Sequence, residues 1–188
     1  MGIPNFFYKV CIVGNSGVGK TTLLHRYLEN RFNPNVTSTI GSHFFVKYLR
    51  IPDEDNLITL QIWDLAGQAH FKWVRHVFYK GAKGVVYVFD LTRKNTFEDI
   101  LGWKKEIETS IGMLPNVLVG NKLDLVNSEN TLIAKEELDS LTEYLDACAY
   151  YKTSAKTGTR VNNVFKSLTL EMYNSQKKLL ERNRKQFN

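Results

Sequence analysis

The sequence predicts an α/β fold: a six-stranded, mostly parallel sheet with one antiparallel edge strand and helices on both faces. Three observations lead there. Short apolar runs alternate along the chain with segments of helical period. Two of those runs, Gly84–Asp90 and Asn116–Gly120, are apolar almost throughout, as strands covered on both faces are. Between His43 and Ile62, two alternating segments flank a turn-forming stretch, which makes a hairpin.

Taken in order, Phe7–Val13 is β-favouring and reads as a buried strand. Leu23, Leu24, Tyr27 and Leu28 recur at helical spacing, so a helix begins near Thr21. Asn30–Gly41 is polar, is broken by Pro34 and reads as a loop. His43–Ile51 is the first arm of the hairpin, Pro52–Asn56 the turn, and Ile58, Leu60 and Ile62 the inward face of the second arm. A helix is expected from Phe71 to Tyr79, and another carries Thr96, Phe97, Ile100, Leu101, Trp103 and Ile107. Thr131–Asp146 is expected to be helical, Tyr150–Lys152 a short strand and Thr153–Thr159 a loop. Val161, Val164, Phe165, Leu168 and Met172 form the apolar stripe of a last helix. With no internal repeat or linker, one domain is expected over residues 1–176. Residues 177–188 then form a basic C-terminal tail or helix extension, with Lys177, Lys178, Arg182, Arg184 and Lys185.

The chain has 188 residues, 43% hydrophobic and 23% charged, which suits one soluble domain with a full core. No apolar run is long enough to span a bilayer. The first residues are too short and uncharged a run for a signal peptide, and Phe6 stands where a myristoylation signal needs Ser or Thr. Cys11 and Cys148 suggest neither a disulfide framework nor a metal site, so a reducing, cytoplasmic setting is expected. The net charge of +6 gathers near the end, but no basic face studded with aromatics points to nucleic acid. Weak, salt-sensitive contact with anionic lipid is the alternative to a solvated helix end for that tail.

Four segments carry chemistry. Gly14-Asn15-Ser16-Gly17-Val18-Gly19-Lys20-Thr21 matches the phosphate-binding pattern G-x-x-x-x-G-K-[ST] between a strand and a helix. Its glycines admit a polyphosphate close to the backbone, whose N–H groups, with those opening the helix, face the anion. Lys20 reaches toward β- and γ-phosphates, and the Thr21 hydroxyl suits a Mg²⁺ ion. Asp64, at a strand end, can hold that ion directly or through water. Gly67 can offer its N–H to a γ-phosphate, and Gln68 can orient an attacking water. In Asn121-Lys122-Leu123-Asp124, the Asp124 carboxylate can accept from the ring N–H and exocyclic amine of guanine, donors that adenine lacks on that edge. The stem of Lys122 can wall the base, and Asn121 can tie this loop to the phosphate loop. In Ser154-Ala155-Lys156, the Ala155 N–H suits the guanine carbonyl.

All four segments, in this order and each at a strand end, resemble the small GTPases of the Ras superfamily, which are P-loop NTPases, and most of all the Rab branch. The likeness runs from about Tyr8 to Met172 and includes Leu60–Asp64, Phe78–Ala82, Tyr87–Thr92 and Asn95–Glu98. It implies that Thr39 is the switch I threonine, reaching Mg²⁺ and γ-phosphate in the GTP state, and that Phe32 packs edge-on against guanine. It implies switch I at about 32–44 and switch II at about 64–80, with Gln68 positioning water. It adds Thr22 to the nucleotide contacts, giving the set Ser16, Gly17, Val18, Gly19, Lys20, Thr21, Thr22, Phe32, Thr39, Gly67, Asn121, Lys122, Asp124, Ser154, Ala155 and Lys156. The expected catalytic residues are Gln68, Lys20 and Gly67, and the expected metal ligands Thr21, Thr39 and Asp64. Two stretches depart from the Rab pattern: Ile40-Gly41-Ser42-His43-Phe44, where Ile-Gly-Val-Asp-Phe is usual, and Ala69-His70-Phe71, where Glu-Arg-Phe is usual. No cysteine closes the chain to accept a prenyl group.

The function expected is a monomeric switch that binds GTP and GDP with Mg²⁺ and hydrolyses GTP slowly. It would work with an exchange factor, a GTPase-activating protein and effectors, in membrane traffic or signalling, in the cytoplasm or peripherally at membranes. A guanine-nucleotide scaffold that does not hydrolyse is the alternative. A P-loop kinase would have no use for Asn121–Asp124.

Overall fold

In the computed structural model, which describes residues 5–51, 56–127 and 132–186, the first strand takes the middle of the sheet because both its edges are used. Strand β1 (Asn5–Val13) pairs in parallel with β3 (Leu57–Leu65) on one side and with β4 (Gly84–Asp90) on the other. Parallel strands β5 (Asn116–Asn121) and β6 (Ala149–Lys152) continue beyond β4. At the far edge β2 (Ser42–Arg50) runs antiparallel to β3, so the order is β2-β3-β1-β4-β5-β6. The turn expected between β2 and β3 lies almost wholly outside the described residues.

Side chains alternate across a strand, and that period builds the two halves of the core. Tyr8, Val10 and Ile12 of β1, with Val86 and Val88 of β4, face α1 (Lys20–Glu29) and α6 (Val161–Gln186). Cys11 and Val13, with Val85, Tyr87 and Phe89, face the opposite way. They meet α2 (Lys72–Tyr79), α3 (Lys94–Glu98), α4 (Ile100–Ile111) and α5 (Lys135–Tyr144). Every residue of β4 and β5 is buried, which is why those strands read as unbroken apolar runs. The stripe on α6 seats Phe165 flat against Tyr27 of α1, with ring centroids 4.0 Å apart. Truncating a ring so placed costs about 3–5 kcal/mol.

Boundaries differ from the sequence pattern where tertiary contacts intervene. The helix expected from Phe71 opens with a 3₁₀ turn, Ala69–Phe71, before α2. The helix expected through Thr96 and Ile107 is two helices, α3 and α4, parted at Asp99. The Asp99 carboxylate at that break accepts from Asn15 Nδ2 at 2.6 Å. Thr131 lies outside the described residues, and α5 begins at Lys135, where Glu137 accepts from the Ala134 N–H at 2.9 Å.

The sheet brings the strand ends together. Phosphate-loop, Asp64–Gln68, Asn121–Asp124 and Ser154–Lys156 segments lie at or just past the ends of β1, β3, β5 and β6, all at the carboxyl edge where ligands of open α/β sheets bind.

Candidate nucleotide-binding site

At that edge lies a cleft of about 340 Å³. The phosphate loop forms its floor. Gly19 caps α1 with φ +95°, and a Cβ there would sit 2.5 Å from Asn121 Nδ2, so the loop closes this tightly only with glycine. No side chain caps the N-terminus of α1, and its leading N–H groups are left for an anion. Lys20 is buried and folds back on its own loop, donating to the carbonyls of Gly14 at 2.7 Å and Asn15 at 3.0 Å. Burial pulls its ammonium down to about 8, while the nearby Asp64 carboxylate works against that fall.

Three oxygens converge beside Lys20. The hydroxyls of Thr21 and Thr39 lie 2.8 Å apart. Both donate to Asp64 Oδ2, Thr39 at 3.3 Å. Asp64 Oδ1 is buried with no hydrogen-bond partner, and burial raises this carboxyl above its usual range. A fully buried carboxylate with one orphaned oxygen beside two hydroxyls is a donor set for a hard cation that takes oxygen ligands. Among the described residues no group of three or more His, Cys, Asp or Glu side chains offers another metal site.

The segments expected to hold the base are tied together by Asn121. Its Nδ2 donates to the Val18 carbonyl at 2.9 Å, and its Oδ1 accepts from Thr153 Oγ1 at 3.1 Å and the Ala155 N–H at 3.3 Å. Ser154 Oγ donates to Asp124 Oδ1 at 2.5 Å. Lys122, at φ +68°, pairs with Asp90 at 2.7 Å. Asp90 is buried, which alone would raise its carboxyl, yet hydrogen bonds from Lys122, Thr92 and Arg93 hold it below the usual range.

Of the expected nucleotide contacts, Ser16, Gly17, Gly19, Lys20, Thr21, Thr22, Phe32, Thr39, Gly67, Asn121, Lys122, Asp124, Ala155 and Lys156 line the cleft. Val18 and Ser154 are buried behind it, and Asp64 sits beneath the two threonines. Gln68 stands outside the lining, at the start of the 3₁₀ turn. Sequence reasoning missed the supports. Arg93 ties Asp90 Oδ2 to the Ser16 carbonyl at 2.9 and 3.0 Å. Arg26 on α1 donates to the carbonyls of Ala155 at 2.8 Å and Lys156 at 2.6 Å. Both are polar residues in ordinary helical or turn context, and nothing local in the sequence marks them.

Comparison with known proteins shows the family. The model of the Ras family matches residues 9–174. The chain is a Ras-family small GTPase. It is similar to the Ras-related protein RABG3e of Arabidopsis thaliana, 37% identical over 166 residues, covering 86% of this chain and 80% of that protein. It is likewise similar to the Ras-related protein Rab-13 of Mesocricetus auratus, 37% identical over 166 residues, covering 88% and 79%. The Ras-related protein RABA5c of Arabidopsis thaliana is 37% identical over 171 residues, covering 90% and 78%. This Rab-like GTPase binds guanine nucleotides, and regulators and effectors are its general kinds of partner. Among the described residues no helix is long and apolar enough to cross a membrane.

Proposed function

We propose that this GTPase is a timed switch: it binds GTP with Mg²⁺, hydrolyses it slowly and changes the order of residues 32–44 and 64–80 as it does so. The observation that carries this reading is the meeting of Thr21, Thr39 and Asp64 from three separate segments, with Asp64 Oδ1 left unpartnered. Thr21, Thr39 and Asp64 would hold the ion, which when bound neutralises charge on the phosphates. Thr39 sits in the loop between α1 and β2, so its placement depends on what fills the cleft, and loss of the γ-phosphate would release it.

The chain's own groups account for the rest. Backbone N–H groups of the phosphate loop and the opening of α1 receive the phosphates. Lys20 sits where charge develops as the γ-phosphoryl transfers. The Gly67 N–H faces the γ-phosphate, and Gln68 orients a water whose oxygen bonds to the γ-phosphorus as the bridging P–O bond to the β-phosphate breaks. Asp124 and Lys122 select guanine, and Phe32 flanks it. No arginine lies in the phosphate loop or in residues 32–44 to serve as a built-in finger, so turnover unaided would be slow, on the order of 10⁻⁴–10⁻³ s⁻¹ as for Ras without its activating partner.

The relatives bear the names of Rab proteins, which supports a role in membrane traffic or signalling, cytoplasmic and peripheral at membranes. Ile40, Phe44, Trp73 and Val77 expose apolar surface on the two switch segments, and an effector would read that surface. Ser42, His43, Ala69 and His70 lie there too, so partner choice would differ from that of Rabs with the usual residues. Residues 1–176 would form the nucleotide-binding domain and 177–188 its basic tail or helix extension, a reading supported by the run of α6 to Gln186.

Single-turnover GTP hydrolysis in Mg²⁺, comparing the intact protein with Gln68→Leu, tests the reading. Slow hydrolysis that falls at least about tenfold in the variant supports it. Tight GTP binding with no hydrolysis in either protein refutes it in favour of a non-hydrolysing scaffold.

A further inference from the structure

Behind the switch II segment, outside the cleft, lies a buried arginine that the hydrolysis scheme above does not use. Arg75 on α2 is 4% exposed. Its guanidinium divides its donors between two neighbours. Nε and Nη2 fork onto the two oxygens of Glu106 on α4, each at 2.8 Å. Nη1 turns the other way and donates to the backbone carbonyls of Gln68 at 2.9 Å and Ala66 at 3.3 Å.

The carboxylate is itself held in place. Tyr79 donates to Glu106 Oε1 at 2.6 Å, so the carboxylate carries three hydrogen bonds. Burial works to raise the Glu106 carboxyl, but Arg75 and Tyr79 together hold it below its usual range. The guanidinium also lies over the Trp103 ring, 4.2 Å from the centroid. Trp103 Nε1 in turn donates to Asn15 Oδ1 of the phosphate loop at 2.8 Å, and Asn15 Nδ2 donates to Asp99 at 2.6 Å. A continuous chain of polar and stacking contacts thus leads from the phosphate loop, through α4, to the two carbonyls that bracket Gly67 and Gln68.

We propose that Arg75 is the positioning residue for Gln68, clamping the 66–68 backbone to α4 so that the glutamine is presented to the attacking water at a fixed distance from the phosphate loop. The role rests on the hydrolytic reading of the site. The division of donors needs an arginine. A lysine is a single point charge and cannot both fork onto a carboxylate and reach two carbonyls on the other side. The position also lies in helix α2, where an inward-facing residue of a packed helix is ordinarily apolar. A full positive charge buried there needs the partners that it has, and half of them are switch II backbone.

The test is single-turnover GTP hydrolysis by the full chain, with GDP release measured in parallel. Arg75→Met alone leaves Glu106 buried without its counter-charge and can fail to fold. The double variant Arg75→Met/Glu106→Met removes both charges, keeps the packing on Trp103 and takes the guanidinium from both carbonyls, leaving Gln68 only its hydrogen bond from the Phe71 N–H at 3.2 Å. Hydrolysis is expected to fall about tenfold to a hundredfold, the range for an approximately 1 Å misplacement. GDP release should stay within about twofold, because no contact with the phosphate or base segments is lost. Arg75→Lys should not restore the rate. Added to Gln68→Leu, the double variant should cause no further loss, since the clamp acts through that side chain.

An unchanged rate in Arg75→Met/Glu106→Met overturns the proposal. So does an equal loss in the Gln68→Leu background, which would mark a general structural role. A wild-type protein that binds GTP and never hydrolyses it sinks the functional reading, and the clamp's catalytic role falls with it. An active wild type with an indifferent double variant sinks the clamp alone.

Discussion

Gly67→Ala is the sharpest perturbation that the site allows. A Cβ at Gly67 would lie 2.6 Å from the Ser16 nitrogen and closer still to the Gly14 carbonyl oxygen and the Asn15 carbonyl carbon. All three are backbone atoms of a loop fixed by Lys20, Asn121 and Arg93, so none can swing aside. Carbon contacts settle at about 3.5–4.0 Å, which means that the 66–68 peptide must retreat by about 1 Å. On the proposed mechanism, that retreat would take the Gly67 N–H away from the γ-phosphate and carry Gln68 with it. A displacement of about 1 Å at a reacting centre is worth about a hundredfold in rate. The base and most of the phosphate loop are untouched, so GDP affinity should change by no more than about twofold. Single-turnover hydrolysis and GDP titration on the same preparation separate the two effects. Hydrolysis within about threefold of wild type would refute the argument, because switch II would then not be seated against the phosphate loop when the reaction occurs.

Three further outcomes follow from contacts elsewhere. Arg26→Met removes two charge-assisted hydrogen bonds to the 155–156 carbonyls; at about 1.5 kcal/mol for the pair, GDP release should quicken about tenfold, measured with a fluorescent GDP analogue. Gly102→Ala lies mid-helix in α4 with nothing within 4 Å of its added carbon and should stabilise by about 0.5–1 kcal/mol, read as a rise in Tm of about 1–4 °C. Glu106, held below its ordinary 4.5 by Arg75 and Tyr79, contributes stability that is full above that value and is lost as pH falls through its lower folded pKa. The Tm difference between wild type and Glu106→Gln should therefore narrow as pH drops below 4.5, and a difference independent of pH would contradict the ion pair.

The sheet was legible in the residue pattern, because burial on two faces leaves an unbroken apolar run such as Gly84–Asp90 and burial on one leaves alternation. The pattern also located the four segments that meet in the cleft, because phosphate and base recognition demand glycine, lysine and carboxylate at fixed spacing next to a strand end. These are local requirements, and local patterns record them. Helix limits were less legible: the break at Asp99 coincides with a hydrogen bond to Asn15, 84 residues away, which no window of sequence contains. The supports of the site were not legible at all. Arg26, Arg75 and Arg93 look like ordinary surface arginines on helices and turns, and each becomes structural only when folding brings a distant carbonyl or carboxylate to its guanidinium. Long polar side chains carry no periodic signature of what they reach. Their partners lie 129 residues away for Arg26 and Ala155 and 77 for Arg93 and Ser16, so only the tertiary structure could decide them.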